Sequence, residues 1–316
     1  MVLTKLLNST HENILQGDVL NGVRTLMVAL YEQRLSLPER AWKDLVSVCR
    51  QHPICSVLHE DPLTQRSFTK PRGYAGDAVM LDMIYGSPHK NDPSELGRSI
   101  HHSLVEHSNT ARAVRHRRSL IADAVDQMSS GSEVRILSIA SGHLRELELT
   151  KAIKDGVIKE WVCLDQDADS LRECVRSYGN DVIRAVPGSV RQVLSGKLPL
   201  SEFDFVYAAG LFDYLTTPVA GALLSRMFEM LKPGGKFLVA NFANTCTEIG
   251  YMEAFMDWWL IYRDEAQMKT LVEVLDDSVT NNVQIFTDPW KTIVYAVGER
   301  RQTEEPRSMP QARTAD

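Results

Sequence analysis

The sequence predicts an α/β protein in which a helical N-terminal region precedes a parallel sheet wrapped by helices. Three observations predict it. From Val134 onward, short apolar runs alternate with stretches of helical spacing, the texture of strand–helix–strand units joined by right-handed crossovers. The first run, "RILSIASGHLREL", stops in a loop of small residues, and open α/β sheets bind their ligands in such loops. Before Val134, apolar residues recur mainly at helical intervals.

The elements follow in order. Ser9 and Glu12 form a capping-box pattern, and Ile14, Val19, Val23, Leu26, Met27 and Leu30 continue at helical spacing. Ser36 and Glu39 repeat the pattern with Pro38 at the first helical position, which starts a helix through Val48. Pro53, Pro62, Pro71 and Gly73 then interrupt the periodicity. Further helices are expected over 77–84 and 104–127, the latter with Arg112, Arg115 and Arg118 three apart. Strands fit best at 134–140, 161–165, 182–186, 203–209 and 235–242, with a helix over 218–231. "VQIFTDPWKTIVYAVGER" supplies two more strands around Asp288-Pro289, an antiparallel pair closing one sheet edge. The tail from Glu299 is charged, lacks apolar period and is expected to be disordered. The expected division is a helical cap domain over 1–128, a ligand-binding α/β domain over 129–298 and a tail over 299–316.

Composition narrows the function. The net charge of −6 gives no basic field for nucleic acid or an anionic membrane. Five scattered cysteines, with no C-x-x-C pair, fit structural thiols in a reducing compartment. No apolar stretch approaches the ~20 residues of a membrane span, and "MVLTKLLNSTHEN" lacks the apolar core of a signal peptide, so a cytoplasmic location is expected. No H-x-x-H, H-E-x-x-H or paired-carboxylate pattern stands at ligand spacing, so no metal is expected.

Four features of 134–242 converge on an adenosine-type ligand. Ala140, Ser141 and Gly142 leave room for close backbone approach. Asp165, in "WVCLDQD", ends the next strand 23 residues after Gly142, where a carboxylate can accept both ribose hydroxyls. "FDFVYAAGLFDYL" ends a strand in Ala208-Ala209-Gly210, and "LKPGGKFLVANF" places a Pro-Gly-Gly turn before another strand.

With these motifs the chain resembles the class I S-adenosylmethionine-dependent methyltransferases, over roughly 130–298. "KPRGYAGD", "GLFDYL" and "WWLIYR" extend the resemblance from about residue 40, to a subgroup similar to the synthase of 3-hydroxypalmitic acid methyl ester, with a helical N-terminal domain. The resemblance implies a Rossmann-like seven-stranded sheet, S-adenosyl-L-methionine as cofactor and a small-molecule acceptor. It assigns Ala140, Ser141 and Gly142 to the amino-acid half of the cofactor, Asp165 and the adjoining Gln166 to its ribose, Ser189 and Val190 to adenine, and Ala209 and Gly210 to the loop beside the sulfonium. Arg72, Tyr74, Gly76 and Asp77 would form a lid, with Arg72 and Gly76 toward the cofactor. Tyr74, Asp213 and Tyr214 would face the reacting centre, and Trp259, Tyr262 and Arg263 would line the acceptor side. Arg115 is a further candidate for holding an anionic acceptor. His143 reads as a helix N-terminal residue without chemical duty. The loop departs from the family: Ser138 stands near the usual acidic position, and only Gly142 remains of two or three glycines.

A dinucleotide's pyrophosphate needs G-x-G-x-x-G, so the missing glycines favour the methyl donor over NAD. A carboxylate acceptor is favoured, because it is already nucleophilic at neutral pH and needs no base. Amino-acid-type N- or S-methylation and a noncatalytic cofactor-binding subunit stay open, as does the oligomeric state, a homo-oligomer included.

Overall fold

The computed structural model describes residues 2–87, 93–129, 131 and 133–302. The N-terminal region is helical: α1 (Val2–Leu15), α2 (Val19–Ser36), α3 (Glu39–Gln51), α4 (Ile54–Leu58), α5 (Pro62–Thr69), α6 (Ala78–Ile84), α7 (Glu95–His107) and α8 (Asn109–Met128). Then follow β1 (Val134–Ile139), β2 (Ile158–Asp165), α9 (Ala168–Tyr178), β3 (Ile183–Pro187), α10 (Val190–Leu194), β4 (Phe203–Ala208), α11 (Thr217–Glu229), β5 (Leu231–Phe242), α12 (Ile249–Phe255), α13 (Glu265–Val272), β6 (Thr280–Thr287) and β7 (Ile293–Arg300).

The seven strands form one mixed sheet in the order β3-β2-β1-β4-β5-β7-β6. β1 to β5 are parallel, and β7 runs antiparallel to both β5 and β6. This is the seven-stranded sheet with a terminal antiparallel pair that the resemblance implies. The chain leaves β1 toward β2 and returns beyond it at β4, so the ends of β1 and β4 flank a topological switch point, where such sheets open a crevice.

Each strand side packs on a different helical layer. Ile136, Trp161, Phe205, Tyr207, Leu238 and Tyr295 face a core shared with Leu26, Trp42, Val114, Ile121 and Met252. Leu137, Val162, Val206, Phe237 and Val239 face the other way, onto Leu223, Leu224, Met227 and Leu271. The N-terminal helices are thus the cover of one sheet face, and burial on both faces explains why the parallel strands read as apolar runs.

Several local expectations are corrected. Ser9 lies inside α1 with its hydroxyl on the Leu6 carbonyl, and Ser36 ends α2 with its hydroxyl on the Gln33 carbonyl; neither caps a helix, because a hydroxyl can bond back into the preceding turn instead. The helix expected over 104–127 is two, broken at Ser108, whose extended backbone ends α7 and whose side chain accepts from Ala111 N to start α8. The stretch after the first strand forms a short 3-10 turn, Arg145–Leu149, not an α-helix. Pro233–Gly235 does not precede β5 but bulges from it: Phe203 pairs with Leu231 and Phe205 with Lys236. β7 continues through Arg300, two residues into the expected tail, because Glu299 and Arg300 still pair with neighbouring strands. The remainder of the tail expectation, 303–316, lies outside the described residues.

Candidate functional site

A cavity of about 310 Å³ opens at the carboxyl ends of β1 to β4. That size is in the range of small-molecule sites. Its wall combines the sheet's loops with α6, α8 and the 70–77 segment.

The loop after β1 forms the floor. Ala140, Gly142 and Leu144 adopt left-handed backbone conformations, with φ of 55°, 54° and 54°. Only one of the three is glycine, so the loop holds two non-glycine residues in a disfavoured region. At Gly142 space is tight as well: a Cβ there would stand 3.2 Å from Ala78 Cβ. The Ser141 hydroxyl is buried and has no hydrogen-bond partner. A buried polar atom left unpaired beside a cavity is a donor and acceptor waiting for a ligand.

Asp165, 6 % exposed, closes the second side. Its carboxylate accepts from Gly142 N and Asp167 N, both at 2.8 Å. Burial raises its pKa against those two hydrogen bonds, and among the described residues no cation pairs with it. With the Gln166 amide also close enough to lower that pKa, the carboxylate still keeps acceptor capacity, since it has about four lone-pair sites. Gln166, Ser189, Val190, Ala209 and Gly210 complete this half of the lining, and Ser189 starts α10 through a capping box with Gln192.

The 70–77 segment forms the roof. Asp77 caps α6 by accepting from Met80 N at 2.9 Å, and Arg66 grips its carboxylate through two hydrogen bonds, at 2.8 and 2.7 Å. Arg72 reaches Asp167 at 2.7 Å and Ser170 Oγ at 2.9 Å. Lys70 pairs with Asp257. Gly76 allows the closest approach: a Cβ there would stand 2.7 Å from Trp258 and 2.8 Å from Tyr214 Oη. Trp258 Nε1 donates to that same hydroxyl at 2.8 Å. Tyr74 and Tyr214 both line the cavity, and burial raises both phenols, with nearby Asp165 adding to Tyr74 and Asp213 to Tyr214.

The structure separates the remaining candidates from the cavity. Arg72 stands behind its wall, tied to Asp167. The Asp213 carboxylate accepts from Phe242 N at 2.5 Å and fastens the 212–214 turn to β5. Arg263, 2 % exposed, donates to the carbonyls of Phe212 and Leu215 and to Asn241 Oδ1, so it buttresses the same turn. Arg115 donates to the Val105 carbonyl at 2.7 Å and ties α8 to α7. Trp259 is on the surface with its indole on Asp257, and the Tyr262 hydroxyl is buried without a partner; neither lines the cavity.

In their place the cavity holds groups that sequence reasoning passed over: Asp82, Tyr85, Arg117, Glu146, Tyr207 and, in a different role, His143. His143 Nδ1 lies 2.8 Å from Asp82 Oδ2, and Arg145 grips the same carboxylate at 2.8 and 2.7 Å. Burial works to raise the Asp82 carboxyl, but Arg145 and His143 outweigh it and hold it below the usual range. Tyr207 donates to Glu146, whose carboxyl burial pushes upward. A signal for Arg117 existed: it shares the stripe of Val114, Ile121 and Val125, and a cation on an apolar stripe is a functional hint. Glu146 and Tyr207 had none, because tertiary packing alone brings them together.

Among the described residues no group of three or more His, Cys, Asp or Glu side chains is arranged to hold a metal, and no helix is long and apolar enough to cross a membrane. Many solved structures are similar to the chain. A possible exported protein from Bordetella parapertussis matches with a TM-score of 0.61 at 14 % identity, over 95 % of both chains. Magnesium protoporphyrin IX methyltransferase from Synechocystis, with bound SAH, matches at 0.49 and 12 % identity over 74 % of this chain and 99 % of that one. The N-methyltransferase NodS from Bradyrhizobium japonicum matches at 0.43 and 13 % over 60 % and 96 %. No family model and no curated protein matches the sequence. The likeness to the Bordetella protein is one of fold, nearly end to end.

Proposed function

We propose that the chain is an S-adenosylmethionine-dependent methyltransferase acting on a small molecule, with a carboxylate as the favoured acceptor and a methyl ester as product. One observation carries the reading: a buried carboxylate, Asp165, and a buried hydroxyl, Ser141 Oγ, line the same cavity at the switch point of the sheet, the first without a cation and the second without a hydrogen-bond partner among the described residues. A ligand offering hydroxyls to the first and a polar group to the second fits both. A dinucleotide's pyrophosphate fits less well, because the 140–144 loop lacks the G-x-G-x-x-G turn and is followed by a short 3-10 turn, not by an α-helix N-terminus.

The residues that would hold the cofactor are Ala140, Ser141 and Gly142, Asp165 and Gln166, Ser189 and Val190, and Ala209 and Gly210. Bound there, it would supply an electrophilic methyl group on a positively charged sulfur. The protein's own work is orientation and exclusion of water. Gly76 packs on Trp258 and Tyr214 in the roof, and Tyr74 and Tyr214, which line the cavity, would offer hydroxyls to the acceptor. A cytoplasmic location belongs to this reading and is supported by five cysteines that are all free and buried.

The test is calorimetry with S-adenosylhomocysteine on wild type and on Asp165→Ala. Loss of a charged hydrogen-bond acceptor should weaken binding about 10- to 100-fold with the fold retained by circular dichroism. Unchanged affinity in a folded variant, or no binding by wild type, defeats the proposal.

A further inference from the structure

One cation in the cavity has no ion-pair partner among the described residues. Arg117 projects from α8 and is 5 % exposed. Its Nη1 donates to the Ala209 carbonyl at 2.6 Å, and its guanidinium lies by Tyr85. Nη2 stands 3.9 Å from where a Cβ on Gly210 would be. The Ala209 carbonyl and the Tyr85 side chain take two of its five N–H donors. Among the described residues Arg117 forms no ion pair.

The neighbouring charges do not meet this need. Arg118 is committed to the Arg145 carbonyl and Glu148, and Arg145 to Asp82. Glu146 and Asp213 are near enough to feel the Arg117 charge, but neither pairs with it: Tyr207 donates to Glu146, and Phe242 N donates to Asp213. A buried guanidinium without an anion is costly, and an anion delivered by a ligand would remove that cost. The position also matters. Arg117 holds the very loop, Ala209-Gly210, that the resemblance sets beside the sulfonium. A second cation there disfavours a neutral or cationic acceptor and favours an anion lying between the two charges.

We propose that Arg117 determines acceptor specificity, gripping the acceptor's carboxylate beside the Ala209-Gly210 loop with the Tyr85 hydroxyl as a second donor. Its placement next to the methyl donor rests on the proposed methyltransferase function; its preference for an anion does not.

The experiment is calorimetry of octanoate and benzoate against octanamide and benzamide, on ligand-free protein and on protein saturated with S-adenosylhomocysteine. Wild type should bind the acids, and the amides at least about 10-fold more weakly. Arg117→Met should weaken the acids by about 10- to 100-fold while leaving S-adenosylhomocysteine within about threefold, and Arg117→Lys should recover part of the loss. Equal binding of acids and amides, or no binding of either acid, overturns the assignment without recourse to a variant. A parallel loss of S-adenosylhomocysteine affinity in Arg117→Met also overturns it and gives the guanidinium to the donor's own carboxylate. If wild type fails to bind S-adenosylhomocysteine, the methyltransferase reading falls alone, and the acid–amide comparison on ligand-free protein still decides the role of Arg117.

Discussion

Asp213 is 2 % exposed, and burial pushes its pKa from the ordinary aspartate range, about 4, up to about 6, against the hydrogen bond from Phe242 N. The folded protein therefore binds this proton more tightly than the unfolded chain. Stability attributable to Asp213 falls as pH rises from about 4 to about 6, by roughly 3 kcal/mol at 1.36 kcal/mol per unit, and is level above that window. Asp213→Asn keeps an oxygen for the Phe242 amide and removes the titration. Urea unfolding across pH 4 to 7 should show the variant lacking that slope; an unaltered slope would mean that another group carries it. The residue type was conspicuous in "GLFDYL", but its burial behind the cavity wall depends on β5, far along the sequence. Arg263 misleads in the same way: a cation near aromatics reads as a ligand clamp, yet its partners are two carbonyls of the turn it supports and the Asn241 side chain of β5.

The 140–144 loop shows what an element keeps when its usual residues are absent. Left-handed conformations recur at alternate positions, and alanine and leucine stand at two of them. A non-glycine residue there costs roughly 1–2 kcal/mol, met by surrounding packing. Ala140→Gly should therefore raise stability by about 0.5–1 kcal/mol despite the added freedom of the unfolded chain. Urea denaturation checks this, and a loss of stability would show that the alanine methyl packs better than its backbone suffers. Elements were legible where periodicity was local. The parallel strands announce themselves because both faces are buried, and α6 because Asp77 precedes an apolar stretch. The break at Ser108, the bulge at Pro233–Gly235 and the replacement of a helix by a 3-10 turn were not legible, since a hydroxyl, a glycine pair or a short loop each permits several local outcomes.

Across the whole molecule, one contiguous core joins the N-terminal helices to a face of the sheet. Trp42 of α3 and Trp161 of β2 are both fully buried in it, and Glu253 of α12 accepts from Trp42 Nε1 at 2.5 Å and from Arg34 at 2.7 Å. The helical region and the sheet should unfold together. Native-state hydrogen exchange in rising urea should show amides of α2, α3, β1 and β2 opening with one common dependence; separate transitions would establish two independent units. The same architecture explains which half of the site was readable. Asp165, Ser141 and Gly210 lie where strand ends point, and strand ends follow from the pattern. Arg117, Asp82 and Tyr85 come from helices whose docking on the sheet no spacing rule encodes.

Three ion pairs tie down the roof over the crevice: Arg66 to Asp77, Arg72 to Asp167 and Lys70 to Asp257. Because all three ties are partly buried, dissolved ions loosen them less than they would a pair on the open surface, and the most exposed of them, Lys70 with Asp257, is the one a saltier solution would slacken first.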